Sequence, residues 1–373
     1  MHKILHVISD TNIGGAGKIL LTFLSNFNRE EFDISVVLPK DSLLVPEVEK
    51  LSIRAIEIEG ISDKSLGFSA IRKLKELFEE EKPKIIHTHA ALSARIAAKI
   101  IKLKVVHTRH SVFDQPMYKK KFPYKTLVGA LNNYLSDSII AVSPAAKFNL
   151  VEIGANQKKT IVVYNGIDGL THLEEHEMHA MRQKFGISEE DFVCSIIARF
   201  EKVKGHEYVL KAAQMLQRED PSVKILIAGS GSEEANIRKM AEDLELDNCI
   251  FTGFVSDIRE ILGITHLQLN ASYGTEATSI ALLEGLSLGI PAAVSDFGGN
   301  PYVINDGVNG LLFESKDYVG LSKAILNIKG NPKEYEHFSK RAKEIFEEKF
   351  TSSVMADKIE DLYKKLLEEV ELR

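Results

Sequence analysis

The chain has 373 residues, of which 44% are hydrophobic and 27% are charged, and its formal net charge is -6. This length is typical of two domains, and the acidic balance excludes a general nucleic-acid binder. The N-terminal run is too short and too polar for a signal peptide, and we find no apolar run of membrane-spanning length, so we expect a cytoplasmic protein.

Short apolar runs alternate with amphipathic segments along the first half of the chain. The runs predicted as strands are 4–8, 34–38, 85–87, 105–107 and 139–142. The segments predicted as helices between them are 18–26, 71–80 and 93–102. This alternation predicts βαβ units and therefore a parallel, doubly wound α/β sheet.

A glycine-rich segment, Gly14-Gly15-Ala16-Gly17-Lys18, follows the first predicted strand and opens the first helix. It is not a P-loop, because Asn12 and Ile19 stand where that motif needs glycine and serine or threonine. It also lacks the dinucleotide fingerprint. Two interpretations stay open, a plain strand-to-helix turn and a backbone contact with a ligand at the helix N-terminus.

Four histidines lie at the ends of two successive predicted strands. Alternation places His89 and His110 at the carboxyl ends, where they are candidates for binding sugar hydroxyls or for proton transfer near neutral pH. For His87 and His107 we favour the other interpretation, in which a core histidine is hydrogen-bonded to the backbone.

A basic and aromatic segment, 118–125, contains Lys119, Lys120 and Lys121. Such a composition is suited to contact with an anionic lipid surface or a phosphorylated acceptor. The alternative is an exposed loop or helix end whose charges are simply solvated.

The segment 169–187 interrupts the strand pattern with many charges, so we place the domain boundary after Asp168 and the first helix of the second domain in this segment. It includes His172-Leu173-Glu174-Glu175-His176, which matches an inverted zinc-peptidase pattern, with His179 as a third imidazole. A solvated helix face is the favoured interpretation.

The strand pattern resumes after residue 190, with predicted strands at 193–198, 225–228, 267–270 and 291–295, and this indicates a second domain of similar architecture. The last segment, 352–373, has the pattern of a long amphipathic helix. The apolar face of that helix contains Met355, Ile359, Leu362, Tyr363 and Leu366. It either closes the second domain or crosses the hinge and packs on the first.

Arg199 and Lys204 follow the first predicted strand of the second domain. The carboxyl ends of parallel strands are where open α/β sheets bind ligands, and two cations there can neutralise a diphosphate. Because the sequence contains no Asp-x-Asp pair, we expect a phosphate site without a metal. A solvated basic turn is the alternative.

Glu276 and Glu284 stand eight positions apart. If a helix begins just after Glu276, both carboxylates lie near one edge of its N-terminus, one for a sugar and the other for a ribose. The backbone N–H groups of Thr278, Ser279 and Ile280 then offer a phosphate site, and a nucleotide-sugar has all three parts. The alternative is a capping pattern with Thr278 or Ser279 as N-cap.

Together these features resemble the retaining glycosyltransferases of family four, which have the GT-B architecture of two facing Rossmann-like domains with a cleft between them. The resemblance covers nearly the whole chain. It is carried by the Glu-x7-Glu motif at 276–284, by 289–291, Gly298-Gly299 and 305–310, and upstream by Gly14-Gly15, His87-Thr88-His89, 141–143 and 165–168. Tyr302 departs from the family pattern, because an acid is common at that position.

The resemblance implies an acceptor-side domain over 1–168, to which the crossover helix 352–373 returns, and a donor domain over 169–351. It implies that Arg199 and Lys204 hold the donor diphosphate, that Glu284 binds the ribose and that Glu276 faces the transferred sugar. It further implies that Gly15 approaches the phosphates and His110 contacts the donor sugar, and that Gly229, Gly231 and Val255 shape the nucleotide pocket.

The activity implied is transfer of a hexose-type sugar from a nucleotide diphosphate donor, expected to be UDP-linked, to an acceptor hydroxyl with retained anomeric configuration. Neither a metal nor a cofactor is expected. The acceptor is expected in cell-envelope polysaccharide or glycolipid synthesis, with peripheral contact at the inner membrane face. Two alternatives stay open, a nucleotide-sugar epimerase of the same fold and a non-catalytic nucleotide-sugar-binding subunit.

Overall fold

The computed structural model of the chain describes residues 1–61, 67–112 and 115–371, so the last two residues of the predicted C-terminal helix, 372–373, lie outside the described residues. The chain divides into two units. The first unit contains Met1–Asp168 and Phe350–Arg373, and the second contains Gly169–Lys349.

The first unit is built on a parallel sheet. Its strands are β1 (His2–Ile8), β2 (Phe32–Pro39), β3 (Arg54–Ile58), β4 (Ile85–His89), β5 (Lys104–Arg109), β6 (Ser138–Ala141) and β7 (Thr160–Val162). Within the described residues they pair in the order β3-β2-β1-β4-β5-β6-β7. The sequence order therefore reverses between β1 and β4, as in a doubly wound fold.

Helices connect these strands. They are α1 (Gly15–Asn26), α2 (Leu44–Lys50), α3 (Phe68–Glu81), α4 (Leu92–Ile100), α5 (Tyr124–Leu135) and α6 (Pro144–Glu152), with a 3-10 turn at Met117–Lys120. Helices α3 and α4 pack on one face of the sheet around a core that includes Leu5, Leu74 and Ile86.

The second unit repeats this plan. Its strands are β8 (Phe192–Ile197), β9 (Val223–Ala228), β10 (Cys249–Gly253), β11 (Leu267–Asn270), β12 (Ala292–Ser295) and β13 (Gly310–Phe313), in the order β10-β9-β8-β11-β12-β13. Its helices are α7 (Glu175–Phe185), α8 (His206–Glu219), α9 (Glu234–Asp243), α10 (Arg259–Leu262), α11 (Ile280–Ser287), α12 (Asn300–Val303), α13 (Tyr318–Gly330) and α14 (Pro332–Lys349). A 3-10 turn spans Lys202–Lys204.

The chain ends in α15 (Ser352–Glu371), which packs against α1 of the first unit. All five residues of its predicted apolar face are buried. The polar edges are also joined, because Lys364 pairs with Glu31 and the backbone N–H of Asn28 donates to Glu360. These contacts make α15 part of the first unit.

Candidate active site

The polar residues of the second unit gather where the strand order reverses, between the neighbouring strands β8 and β11. Lys204 follows the carboxyl end of β8, and Glu276 follows that of β11. Ligands of doubly wound folds bind at this point, because the loops leave the two strands in opposite directions.

Lys204 and Glu276 form an ion pair with 2.8 Å between Nζ and Oε2, and their side chains are only 15% and 6% exposed. The same carboxylate oxygen accepts a hydrogen bond of 3.1 Å from the Ser272 hydroxyl and a longer contact of 3.5 Å from the Asn270 amide. Burial strengthens such a pair, because little water screens the two charges.

Backbone packing brings the lysine loop onto the glutamate loop. The N–H of Tyr273 donates to the carbonyl of Val203, and a Cβ at Gly274 would lie 2.4 Å from the Val203 side chain. Gly205 has a φ of 74° and lies so close to Ala271 that a Cβ would be 2.0 Å from its carbonyl oxygen. Only glycine fits both the conformation and the space.

A second glycine turn holds the Glu276 backbone. The N–H of Gly299 donates to the Glu276 carbonyl over 2.9 Å, and Gly298 has a φ of 62°. A Cβ at Gly299 would lie 1.7 Å from the carbonyl oxygen of Ala277. The Gly298-Gly299 pair is therefore needed for close backbone approach at the position of Glu276.

Helix α11 begins at Ile280, and the hydroxyl of its N-cap Ser279 accepts a hydrogen bond from the N–H of Leu282. The helix thus begins four residues after Glu276, because the chain is irregular as far as Ser279, and the alternative with Ser279 as N-cap is confirmed. Glu284 therefore lies on the helix, whereas Glu276 precedes it. Lys204 and Ser279 line one pocket with the ends of β8 and β11, so the lysine and the helix N-terminus open into the same space.

Arg199 lies apart from this pair. Its side chain is 74% exposed, and Nη1 is 2.7 Å from Oε1 of Glu201. The structure thus joins Lys204 to Glu276 and Arg199 to its own neighbour in the chain, and it does not bring the two predicted diphosphate cations onto one partner.

Gly229 and Gly231 follow β9 and support the loop after β8. Their φ values are 140° and 159°. A Cβ would lie 2.1 Å from the Ala198 carbonyl oxygen in one case and 2.5 Å from that of Phe200 in the other. Their visible role is thus to let the backbone approach the segment that carries Arg199. Val255, which follows β10, is half-buried against an apolar cluster of the second unit.

Sequence analysis missed the side chains that hold Glu276. Asn300 donates to Asn270 and to the Ser295 hydroxyl, and that hydroxyl donates to the Ser272 carbonyl. The signal was present in Asn270-Ala271-Ser272, because polar residues that directly follow a buried apolar strand indicate a functional strand end.

In the first unit, Gly15 is the exposed first residue of α1. The N-cap Gly14 has a φ of -89°, and a Cβ there would meet nothing within 4 Å. Neither packing nor backbone conformation therefore requires glycine at position 14, and both interpretations of this turn stay open.

Three of the four predicted histidines, His87, His89 and His110, gather on one side of the first sheet and are joined by a further imidazole that sequence analysis missed. His6 in β1 pairs in register with His87 in β4. Nδ1 of His6 is 3.1 Å from Nε2 of His89, and Nδ1 of His89 is 2.8 Å from Nε2 of His110. The hydroxyl of Tyr363, from α15, is 3.0 Å from Nε2 of His6.

His87 is buried as expected, but the expectation that it bonds to the backbone is wrong. Its two ring nitrogens meet the hydroxyls of Tyr363 and Thr108. His107 faces the other side and contacts the Thr88 hydroxyl over 3.3 Å. A histidine inside an apolar strand, as at Leu5-His6-Val7, was the sequence signal for His6, because it must find a polar partner once buried.

Burial lowers the pKa of His110 to about 4 and that of His6 to about 3, because an imidazolium loses its hydration in the core. Burial also lowers the pKa of His89 well below the usual value. Both rings are therefore neutral near pH 7, which favours the binding of sugar hydroxyls over proton transfer for His89 and His110, and both roles stay predictions. They remain able to form hydrogen bonds.

Among the described residues, one group of three potential metal ligands is close enough to share an ion, and it is His6, His87 and His89. These residues are not those of the inverted zinc-peptidase pattern at 172–176. His172 precedes α7, while His176 and His179 lie on the exposed surface of that helix, which has no buried residue. The exposure of this helix agrees with the favoured interpretation, a solvated helix face.

The lysine segment forms the 3-10 turn before α5. Lys120 pairs with Glu152 over 3.0 Å, while Lys121 is exposed. Exposed apolar side chains follow along one face of α5, namely Tyr124, Leu127, Leu131 and Tyr134. In the described part of the chain, no helix has the length and apolar character needed to cross a membrane.

Known families and structures match both units. The model described as "Glycosyltransferase Family 4" matches residues 13–169, and "Glycosyl transferases group 1" matches residues 177–345. N-acetyl-alpha-D-glucosaminyl L-malate synthase of Bacillus anthracis is 27% identical over 307 residues, which are 78% of this chain and 77% of the relative. UDP-Gal:alpha-D-GlcNAc-diphosphoundecaprenol alpha-1,3-galactosyltransferase of Escherichia coli is 24% identical over 97% of this chain and 96% of its own.

Among solved structures, that of Anabaena Alr3699/HepE in complex with UDP superposes with a TM-score of 0.85 at 20% identity, covering 97% of this chain and 100% of the other. Two parallel-sheet, Rossmann-like α/β domains of this kind are the GT-B fold, and the predicted fold class is confirmed. The family matches and the relatives together support a glycosyltransferase similar to family four.

Proposed function

We propose that this glycosyltransferase moves a hexose-type sugar from a UDP-sugar to an acceptor hydroxyl, with retained anomeric configuration and without an obligatory metal. The observation that carries the proposal is the Lys204–Glu276 pair beside the N-terminus of α11, at the strand-order reversal. A UDP-linked donor is supported by the similar structure that binds UDP.

Lys204 is the proposed diphosphate cation. It is mostly buried and opens into the same pocket as Ser279, so a phosphate there would meet both a cation and the positive end of a helix. The backbone N–H groups of Thr278, Ser279 and Ile280 would complete this site. Arg199 is exposed and would have to leave Glu201 to add a second cation.

Glu276 is the proposed sugar-facing carboxylate, and Glu284 would bind the ribose hydroxyls. Oε2 of Glu276 is engaged by Lys204 and Ser272, which leaves the other carboxylate oxygen to accept from sugar hydroxyls. In this mechanism the departing diphosphate takes the proton of the attacking acceptor on the same face of the sugar. Charge on that leaving group is stabilised by Lys204 and the helix N-terminus.

The first unit would supply backbone contacts through Gly15 and a hydrogen bond to the donor sugar through His110. Nδ1 of His110 is buried and has no partner among the described residues, and the ring lines a pocket with Val142 and Asn165. A neutral imidazole in that position can orient a hydroxyl without exchanging its proton.

We further propose that a lipid-linked acceptor is reached by peripheral contact between α5 and an anionic lipid surface. The four exposed apolar residues of that helix lie within one quarter of its circumference, and Phe122, which precedes it, is 85% exposed. Lys121 and Lys125 are exposed beside them. Aromatic and aliphatic side chains flanked by lysines suit the headgroup region of such a surface.

The function is tested by incubating the protein with UDP-hexoses, with and without EDTA, and with lipid extracts as acceptor source. We expect acceptor-dependent release of UDP that EDTA does not change, and a product whose anomeric proton coupling matches that of the donor. A new sugar nucleotide formed without acceptor would instead show an epimerase, and donor binding without any turnover would show a non-catalytic subunit.

Membrane contact is tested separately with vesicles. We expect co-flotation with vesicles that contain phosphatidylglycerol and not with pure phosphatidylcholine. The double variant Leu127→Ser with Leu131→Ser should lose it, while Ile100→Ser, an exposed apolar residue at the end of α4, should retain it. Flotation that is equal for all three proteins would contradict the lipid-facing role of α5.

A further inference from the structure

The buried histidines of the first unit form one unbranched chain of hydrogen bonds with Tyr363. It starts at the Thr108 hydroxyl and runs through His87, Tyr363, His6 and His89 to His110. It ends at Nδ1 of His110, which is buried without a partner in the described part of the chain. The chain therefore joins β5, β4, α15 and β1 to the ring proposed to bind a sugar.

A neutral imidazole has one N–H group and one lone pair, and a tyrosine hydroxyl has one hydrogen to donate. Each link of the chain needs one donor and one acceptor, so the direction of one hydrogen bond sets the direction of all. Burial lowers the pKa of all four histidines in the chain, so the rings are neutral at pH 7. Two arrangements result, and they run in opposite directions.

In the first arrangement Thr108 donates to His87, each group donates to the next, and the last hydrogen lies on Nδ1 of His110. In the second arrangement every bond is reversed, and the hydrogen of the Thr108 hydroxyl has no acceptor among the described residues. An unpaired buried donor is unfavourable. Only the first arrangement, with an accepting oxygen at His110, leaves no donor of the chain unpaired.

We propose that Tyr363 is a positioning residue for His110: through His6 and His89 it sets the direction of the chain, so that His110 presents an Nδ1–H donor to an oxygen of the bound sugar. This inference rests on the proposed function, which assigns a sugar contact to His110. Tyr363 lies on α15 and acts through two other rings, so it touches no substrate itself.

A metal ion at His6, His87 and His89 is the competing explanation of the same cluster. Their ligand atoms lie within 4.8 Å of one another. All six ring nitrogens already have a polar partner, however, and three of them would have to exchange that partner for the ion. Hydrogen bonds therefore explain the cluster without an ion, and stoichiometric zinc in the purified protein would overturn the proposal.

The tautomer is measured by long-range proton–nitrogen spectra of protein labelled with 15N-histidine, at pH 7 and saturated with UDP-glucose. The His110 signals are assigned by their loss in His110→Asn. We expect a neutral ring with its hydrogen on Nδ1. A hydrogen on Nε2 of His110, or a charged ring, would overturn the proposal. Because no turnover is needed, this result stands apart from whether the protein is an active transferase.

Two variants separate direction from packing. Tyr363→Phe removes the link between His87 and His6 and vacates the space of the hydroxyl, where a water can either donate to Nε2 of His6 or accept from it. We therefore expect both tautomers of His110, together with a two- to tenfold rise in the KM for the UDP-sugar. Thr108→Val leaves Nε2 of His87 without a donor, which is tolerated better as a lone pair than as an N–H, so the Nδ1–H tautomer and the KM should be kept. Valine at position 108 instead fills the space of the lost hydroxyl with a methyl group, so no water enters there.

The matched control for loss of a tyrosine hydroxyl is Tyr335→Phe, which lies in the second unit and outside the chain. It should leave the His110 spectrum and the KM unchanged. An unchanged His110 tautomer in Tyr363→Phe would overturn the positioning role even if that variant were less stable. If Tyr363→Phe does not fold, a hydrogen on Nε2 of His110 in the wild-type protein would still overturn the proposal.

Discussion

Nζ of Lys204 lies 2.8 Å from Oε2 of Glu276, and this pair joins the loops that leave the two central strands of the second sheet. A donor diphosphate bound at Lys204 would bring a second anion to a lysine that already has one. When the diphosphate binds, Lys204 must therefore either contact both anions or release Glu276. This competition couples the position of Glu276 to occupancy of the phosphate site, and it gives the first prediction.

Replacing Lys204 by alanine should lower turnover by about 100- to 1,000-fold, the usual effect of removing one group that stabilises charge in the transition state. The loss of unfolding free energy should be only about 1–3 kcal/mol, since Glu276 keeps its bond to Ser272. Lys202→Ala, an exposed lysine in the same turn, is the control for turnover and for urea unfolding. Near-normal turnover of Lys204→Ala would remove the lysine from the mechanism.

The double variant Lys204→Met with Glu276→Gln removes both charges of the pair. We expect it to recover most of the unfolding free energy lost in Lys204→Ala, because no unpaired buried charge remains. Turnover should stay as low as in the single variant. Recovery of turnover along with stability would show that the reaction needs neither the Lys204 charge nor the Glu276 carboxylate.

Isothermal titration with UDP, GDP and ADP in the presence of EDTA tests the donor site. We expect UDP to bind at least about tenfold more tightly than GDP or ADP. Lys204→Ala should lower the affinity for UDP by roughly 10- to 100-fold, since a hydrogen bond to a charged group is lost. EDTA should not alter the UDP affinity of the wild-type protein. Binding that appears only when Mg²⁺ is added would contradict the metal-independent site.

Gly299→Ala should lower the unfolding free energy by at least about 3 kcal/mol, because its Cβ would lie 1.7 Å from a backbone oxygen that cannot move away cheaply. Turnover should fall as well, since the Gly299 N–H bonds to the Glu276 carbonyl. Gly330→Ala is the control: nothing lies within 4 Å of its Cβ, so it should be neutral or slightly stabilising. Equal effects in both glycines would contradict the packing argument.

The central strands of both sheets could be predicted from the sequence, but the edge strands could not. The unpredicted strands are β3, β7, β10 and β13, and each of them is the edge strand of its sheet. An edge strand is covered by fewer neighbours and so needs fewer apolar residues, as the partly exposed β3 and β10 show. Their sequence pattern is correspondingly weak.

The residues of the candidate sites also differ in how far the sequence could locate them. The positions of Lys204 and His110 after strand ends could be predicted, because parallel sheets bind ligands there. Glu276 was selected by its spacing to Glu284, and the roles of all three residues stay predictions. The bond between Tyr363 and His6 joins residues 357 positions apart, and in the sequence Tyr363 was only one member of an apolar helix face. Such a contact depends on where α15 packs, which local patterns do not specify.

The buried histidines also make stability depend on pH. His6 and His110 have folded-state pKa values of about 3 and about 4, below the ordinary value of 6.5. A group whose pKa is lowered by folding binds fewer protons in the folded state, so its contribution is complete above pH 6.5 and is lost as the pH falls towards the folded pKa. Each such ring should lower the unfolding free energy by about 1.4 kcal/mol per pH unit in that range.

The window from pH 6.5 to pH 5 isolates this effect, because most carboxylates titrate below it. We expect urea unfolding to show a steep loss of free energy across that window and little change between pH 7 and pH 8. As the pH is lowered, hydrogen exchange should show loss of protection at a higher pH in β1 and β4 than in β8 and β11. The first unit holds the four histidines of the hydrogen-bonded chain, whereas the described part of the second unit holds only His206 and His266 with similarly lowered pKa values. A flat profile down to pH 5, or earlier loss in the second unit, would contradict neutral burial of the histidine chain.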